Sequence, residues 1–506
     1  MSTPRDDILL ERREGPAGSD GSLAFTLAEG PFDTYRRTVT ARPSETGDGR
    51  FHVEEVIDWE LAVPIWGALF RPVIARQLRR TEAPAPAAPD DAPTRPPWWS
   101  PPARLDARAV TVLSRLCGLS LLAGYLGTIL TQTITYAADE FDASKTAQGG
   151  TLAAVRIGVL LSLVLLAVSD RRGRHRLLAL SAVAGAVAAA AGALSPNLAV
   201  LGATQTISRA FATALSLLIA VVAAEEMPAG GRAYAASVVA MTAALGAGGA
   251  VALLPLADLA PWAWRLVYVA PVLALPGFVA ITRRLPESRR FVRPHGRTTM
   301  AGHWGRLALL ATSAFFGLLF LAPVTQFQND FLRDERGFSA LGITLFTFAT
   351  NTPGGIGIVV GGRLADVRGR RPIGAIGTVG GAICLAIAYQ VGGPLLWAMW
   401  VLGTVVAAMT VPALTVYGPE LFPTSLRARA NGYITLAGVA GSGLGLVLAG
   451  RLADHFGRFG PGFILLAAGP LVVAALVVTR YPETANVELE ALNPEDAAVA
   501  TATPLL

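Results

Sequence analysis

Two arginines, Arg156 and Arg209, stand inside long runs of otherwise apolar residues. A guanidinium stays charged at any physiological pH and is expensive to place among hydrocarbon, so such a residue is a binding candidate by default. The competing reading is structural, with the guanidinium satisfied by backbone carbonyls of neighbouring helices or reaching outward along its own stem. Those runs hold no Asp, Glu or His between their ends. A proton relay needs a group that titrates inside the membrane, which argues against simple proton symport. Arginines without carboxylates make a positive cavity, which favours an anionic substrate or anion exchange. Neutral polar residues complete the candidate cavity: Gln132, Gln326, Gln328, Asn351 and Tyr125, with Thr131 and Asn329 beside them. Paired amides can orient a ligand through donor and acceptor bonds, or tie helices together.

The elements that must position these residues are spanning helices. The chain of 506 residues is 52% hydrophobic and 15% charged, with a mean hydropathy of +0.48, against about 25% charge in soluble domains. The apolar residues come in blocks: Ala233–Ala257, Cys117–Ala138 and Pro461–Thr479 carry no charge. At about 1.5 Å per residue each can cross a hydrocarbon core of about 30 Å. Twelve helices are expected near 112–137, 148–169, 177–195, 198–223, 233–256, 262–282, 307–328, 340–363, 373–390, 395–418, 430–450 and 461–479. Counting Arg and Lys in alternate short loops gives 17 on one side and six on the other. The richer side is cytoplasmic by the positive-inside rule, and both termini fall there. Cys117 and Cys384 lie in apolar blocks, which suggests neither a disulfide framework nor a metal site.

Outside the body, residues 1–80 form a small soluble amino-terminal segment of unknown role. Its SLAFTL, YRRTVTARP and RFHVEEVIDW stretches alternate like strands, and ELAVPIWGALFRPVIARQLRR looks helical and amphipathic. His52 and Glu54 would share a face there, as residues on a solvated surface do. Residues 81–104 are a proline-rich tether that ends near Trp98 and Trp99. The first 30 residues lack a signal-peptide core, so an uncleaved amino terminus is expected. The remaining divisions are an amino-terminal six-helix bundle (105–283), a central loop (284–306), a carboxy-terminal six-helix bundle (307–482) and a tail (483–506).

The two bundles repeat. At an offset of 196, SDRRGRHR from Ser169 overlies ADVRGRRP from Ala365, matching Asp170, Gly173 and Arg174 to Asp366, Gly369 and Arg370. At 195, Glu225, Pro228 and Arg232 overlie Glu420, Pro423 and Arg427. Asp258 overlies Asp454 at 196, and Arg284, Pro286 and Glu287 overlie Arg480, Pro482 and Glu483. Parallel six-helix repeats are a known way to build a secondary transporter. Charge alone would not demand the glycines and prolines, although exposed salt bridges worth under about 1 kcal/mol and topology signals would explain the charges themselves.

In these motifs the chain resembles the major facilitator superfamily over about residues 105–485. The carriers are SDRRGR and GGRLADVRGRRP, then EEMPAGGR and PELFPTSLRAR, then PES and PET. Within the superfamily they look most like the sugar-porter and metabolite-symporter branches. The resemblance implies an all-α membrane protein of twelve helices in two pseudo-symmetric bundles, working by rocking-bundle alternating access. It implies a cytoplasmic gate: Asp170, Gly173, Arg174, Glu225 and Arg232 on one half, and Asp366, Gly369, Arg370, Glu420 and Arg427 on the other. Proton-coupled relatives of the metabolite-symporter type usually carry a carboxylate in the first helix, where this chain reads LLAGYLGTILTQTITY. Its PVTQFQND also departs from the paired-glutamine pattern of sugar porters, away from a hexose.

The expected function is therefore transport of a small organic solute, an organic acid or other anionic metabolite, across the cell inner membrane. The partners are that substrate, membrane lipid and a coupling ion, with no nucleic acid, no cofactor, no metal and a monomeric assembly. The alternatives are a multidrug-type efflux transporter and a transport-dead sensor signalling through residues 1–80. No nucleophile, base and acid constellation marks an enzyme.

Overall fold

The computed structural model describes residues 8–15, 22–43, 51–79, 104–172, 174–228, 232–286, 300, 302–414, 417–422 and 426–484. The alternating amino-terminal stretches form an antiparallel sheet in sequential order: β1 (Leu10–Arg13), β2 (Leu23–Glu29), β3 (Phe32–Pro43) and β4 (Phe51–Leu61). The helix α1 (Gly67–Leu78) seats Ile74 and Leu78 on Phe32 and Tyr35 of the sheet and on Leu9 just before it. The expected amphipathic stretch is thus divided, because β4 runs on to Leu61 in pairing with Phe32 before the helix begins. Arg37 is buried in the sheet, bonded to Glu11 at 2.8 Å and Glu55 at 2.7 Å, with its guanidinium over the Phe25 ring. The carboxylates hold the Arg37 guanidinium more firmly protonated, against the opposing effect of burial.

Eleven helices among the described residues are long and apolar enough to cross a membrane. The first half is built from α2 (Ala107–Glu140), α3 (Lys145–Val155), α4 (Ile157–Arg172), α5 (Arg174–Ala191), α6 (Leu198–Glu226), α7 (Arg232–Ala252), a 3₁₀ turn (Leu254–Asp258), α8 (Arg265–Leu273) and α9 (Leu275–Arg283). The second half comprises α10 (Trp304–Gln326), α11 (Gln328–Asp330), a π turn (Phe331–Glu335), α12 (Ala340–Asn351), α13 (Gly354–Arg368), α14 (Arg370–Ala388), α15 (Gly393–Ala408), α16 (Thr410–Leu414), α17 (Tyr417–Glu420), α18 (Arg427–Phe456), α19 (Phe459–Leu466) and α20 (Ala468–Arg480). The eighth expected span, 340–363, is not one of the eleven. It falls on α12 and α13, separated at Thr352 and Pro353, where proline cannot donate to the preceding turn.

Helix starts follow from short polar side chains. Asp106 accepts from the Ala109 amide at 2.7 Å, Ser144 from Ala147, Asn197 from Val200 and Ser339 from Gly342. The repeat is also visible in packing. Gly246 lets α7 lie on the Leu121 carbonyl of α2, and Gly441 lets α18 lie on the Phe315 carbonyl of α10, where a Cβ would overlap the oxygen in both cases.

Cores are distributed unevenly between the two ends of the body. One cluster joins both halves, running from Ile129, Ile134 and Tyr268 to Phe327, Phe331, Tyr389 and Leu446. At the opposite end each half keeps its own: Leu116, Leu178 and Leu215 in the first, Leu310, Tyr417 and Phe422 in the second. The sheet attaches at that opposite end, where Thr111 donates to the Ala62 carbonyl and the Trp66 indole to that of Ser114.

Candidate functional site

Arg156 and Arg209 come together inside the first half. Arg156 occupies the break between α3 and α4, its amide bonded to the Ala153 carbonyl and its own carbonyl to the Val159 amide. Two residues on, Gly158 brings this break onto α6 at Thr206 and Ala210, flanking Arg209. The Arg209 guanidinium lies against α2 at Gly127, and the two arginine charges are close enough to repel each other. Both side chains are half-buried, and among the described residues neither forms a hydrogen bond or ion pair. Two cations within reach of each other's field, with no anion paired to either, are an unfavourable arrangement that an anion would relieve.

The neutral candidates divide. Tyr125 donates to the Val267 carbonyl at 2.7 Å, which ties α2 to α8. Gln328 donates to Thr347 at 3.0 Å within the second half. Gln132 and Gln326 lie in the seam between halves: Asn329 donates to the Gln132 carbonyl at 3.0 Å and amide oxygen at 3.1 Å, and Thr131 donates to Gln326 at 2.5 Å. Asn351 is exposed at the end of α12.

That seam is a second assembly, which the sequence marked only in part. Asp258 accepts from the Ala340 and Leu341 amides at the start of α12, and Asp454 from the Lys145 and Thr146 amides at the start of α3. Each half therefore caps the other half's helix, and the two caps obey the 196 offset of the repeat. Between them the Lys145 ammonium pairs with Asp330 at 2.7 Å and also with Asp334, while Thr135 donates to Asp330 at 2.9 Å. Arg333 pairs with Asp139 at 3.0 Å. Asp330 is fully buried, although the seventh expected span ends two residues earlier, at 328. The helix continues past Gln326 through α11 and the π turn, so a titratable carboxylate sits just beyond a body expected to lack one.

Of the gate residues, Gly173 lies outside the described residues, as do the side chains of Asp170, Glu225, Arg232, Asp366, Glu420 and Arg427. Arg174 begins α5, half-buried. Gly369 has φ +98°, and Glu483 reaches the adjoining helix start, accepting from the Arg370 amide at 2.9 Å and the Arg371 amide at 3.2 Å. The repeat recurs here: His175 donates to the Thr282 carbonyl and Arg371 to that of Val478, each partner displaced by 196.

Two Haemophilus influenzae proteins, each described as a "Putative metabolite transport protein", are similar to this chain. One is 30% identical over 368 residues, covering 67% of this chain and 87% of the relative. The chain belongs to the major facilitator superfamily. The superfamily's model itself matches residues 307–504, in the second half. The other Haemophilus relative is 27% identical over 263 residues, 46% of this chain, and the match spans only 58% of that relative's length. In three dimensions the superfamily fold is shared with the inward-open xylose transporter XylE from E. coli, at TM-score 0.64 and 17% identity, covering 76% of this chain and 99% of that one. With its apolar helices, this superfamily member is a multi-pass membrane protein.

Proposed function

We propose that the chain is a secondary transporter of a small organic anion, working by alternating access between its two six-helix bundles. The observation that carries the anion is the Arg156 and Arg209 pair, brought into the same region by the packing of Gly158 on α6, with no carboxylate partner among the described residues. A carboxylate or phosphate there would accept charge-assisted bonds from both guanidinium groups. The metabolite transport ascribed to the relatives is compatible with such a cargo.

In this reading α12 and α13 together make the twelfth crossing, and the sheet of β1 to β4 lies in the cytoplasm. The arginine-rich loops place both termini there and turn the Lys145 end outward, in the inner membrane of the cell. The molecule is then closed outside and parted toward the cytoplasm, with Asp170, Glu225, Asp366 and Glu420 and their arginines forming the gate that closes the other way.

Purified protein in sealed vesicles should exchange mono- or dicarboxylates across the membrane. Arg209→Ala and Arg156→Ala should each lower that flux at least tenfold, while Arg209→Lys retains a part because the charge remains. Carboxylate flux unchanged in both alanine variants would sink the anion reading.

A further inference from the structure

We propose that Asp330 is a proton-binding site, taking up one proton when the outer end closes and releasing it when that end opens. The inference rests on the alternating-access reading above and adds a proton-linked switch on the outer closure that neither the arginine pair nor the relatives assign. It starts from a charge imbalance across the seam. Two carboxylates, Asp330 and Asp334, converge on one ammonium, that of Lys145. Asp330 and Asp334 belong to the second half and Lys145 to the first, so the group exists only while the halves meet.

The other charged groups around Asp330 make their own contacts elsewhere. Arg333, one helical turn along, pairs with Asp139 and lies over the Tyr136 ring at 4.1 Å. Glu335 accepts from the Phe459 amide of α19 at 2.6 Å, and Arg336 donates to the Val391 carbonyl. From α18, Asp454 is occupied by the amides that begin α3. From α14, Tyr389 gives its hydroxyl to the Val324 carbonyl at 2.7 Å. From α2 come Thr135, which donates to Asp330, and Gln132, which is bonded to Asn329. Among the described residues Lys145 is the one cation in an ion pair with either Asp330 or Asp334.

Full burial of Asp330 removes the water that would otherwise stabilise its charge. Burial raises its pKa from the ordinary value, outweighing Lys145 and Thr135, which favour the charged form. When the halves part outside, Asp330 loses Lys145 and Thr135 and gains water, returning toward an ordinary carboxylate. The closed form thus binds more protons than the open one, so acid favours closure and alkali favours opening. The proton that enters on closure comes from the outer water, and the same oxygen gives it up on reopening. No other group need be chemically altered.

The test is a distance measurement that needs no substrate. Leu194 and Leu395 are exposed, in the outer loop after α5 and at the outer start of α15. With Cys117 and Cys384 replaced by serine, nitroxide labels at Leu194→Cys and Leu395→Cys report the outer gap by electron-spin distance measurement in lipid nanodiscs. Titrated above the ordinary carboxylate range, the ratio of open to closed molecules should rise by up to tenfold per pH unit. Asp330→Asn, which imitates the protonated acid, should stay closed and lose the pH response. If Asp330→Asn instead opens at every pH, Asp330 is only a salt-bridge anchor and the proposal fails; it fails equally if that variant keeps the native response. Asp334→Asn, at a half-exposed position, removes the surplus charge without touching the buried acid. It should move the midpoint to at least tenfold higher proton concentration, and an unmoved midpoint overturns the proposal. Anion flux is measured separately, so a missing pH response would remove the proton site and leave the transporter reading standing.

Discussion

Gly369 shows how much a single backbone position can decide. Its φ of +98° with ψ of 149° lies in a region that essentially only glycine occupies. A Cβ would also press on the Glu483 carboxylate, which caps the start of α14. Gly369→Ala should therefore cost about 1–3 kcal/mol from backbone strain, with a further loss as Glu483 is displaced. Glu483→Gln keeps one acceptor oxygen, replaces the other by a donor and removes the charge, and should cost about 1–2 kcal/mol. Thermal unfolding of the purified protein in detergent checks both. Equal midpoints for Gly369→Ala and the native protein would show that the turn relaxes freely. The repeat singled out this glycine and this glutamate, but as separate motifs. Their contact joins residues 114 positions apart, and no local pattern records that.

At the level of elements, the sequence was most informative where a single physical demand dominates. Uncharged runs of about 20 residues have to satisfy their backbone internally, so the spans lie close to their expected places. The sheet was legible as alternation in SLAFTL and RFHVEEVIDW. Breaks were less legible: α3 and α4 part at Arg156, and α12 and α13 at Pro353, because hydropathy averages across a turn. Asp330 was missed for the reverse reason, since a helix that continues beyond its apolar run can carry a buried charge if another helix supplies the ammonium. The sheet also contains a buried ion pair that alternation did not reveal. Removing one partner of such a pair strands the other, at about 3–5 kcal/mol. Arg37→Met should thus unfold the amino-terminal sheet locally by leaving the buried Glu11 carboxylate without its guanidinium, with the Tyr35 hydroxyl still donating to it at 2.7 Å. Hydrogen exchange in the full-length protein should rise across β2, β3 and β4 while α2 to α9 remain protected. Protection unchanged in the strands would mean that Glu11 finds water or simply neutralises.

For the whole molecule, the reciprocal caps matter more than any one contact. Asp258 and Asp454 are equivalent in the repeat, and each reaches across to start a helix of the other half. In the proposed cycle the arrangement forms only when the Lys145 end shuts, so its energy would count toward closure rather than toward the stability of either bundle. A helix-start acceptor is worth about 0.5–2 kcal/mol. Taking about 1 kcal/mol for each, Asp258→Ala or Asp454→Ala should shift the open-to-closed ratio roughly fivefold toward open. The two caps share no partner, so the double variant should approach a 25-fold shift by simple additivity. The same spin-label pair reads both, and the slope of the pH response should survive, because the surplus carboxylate remains. Loss of anion flux without any change in the outer distance would instead mean that these aspartates hold each bundle together. Unequal single effects would locate an asymmetry. Lys145 sits beside the Asp454 cap, so the half carrying the proposed proton site should then lose more.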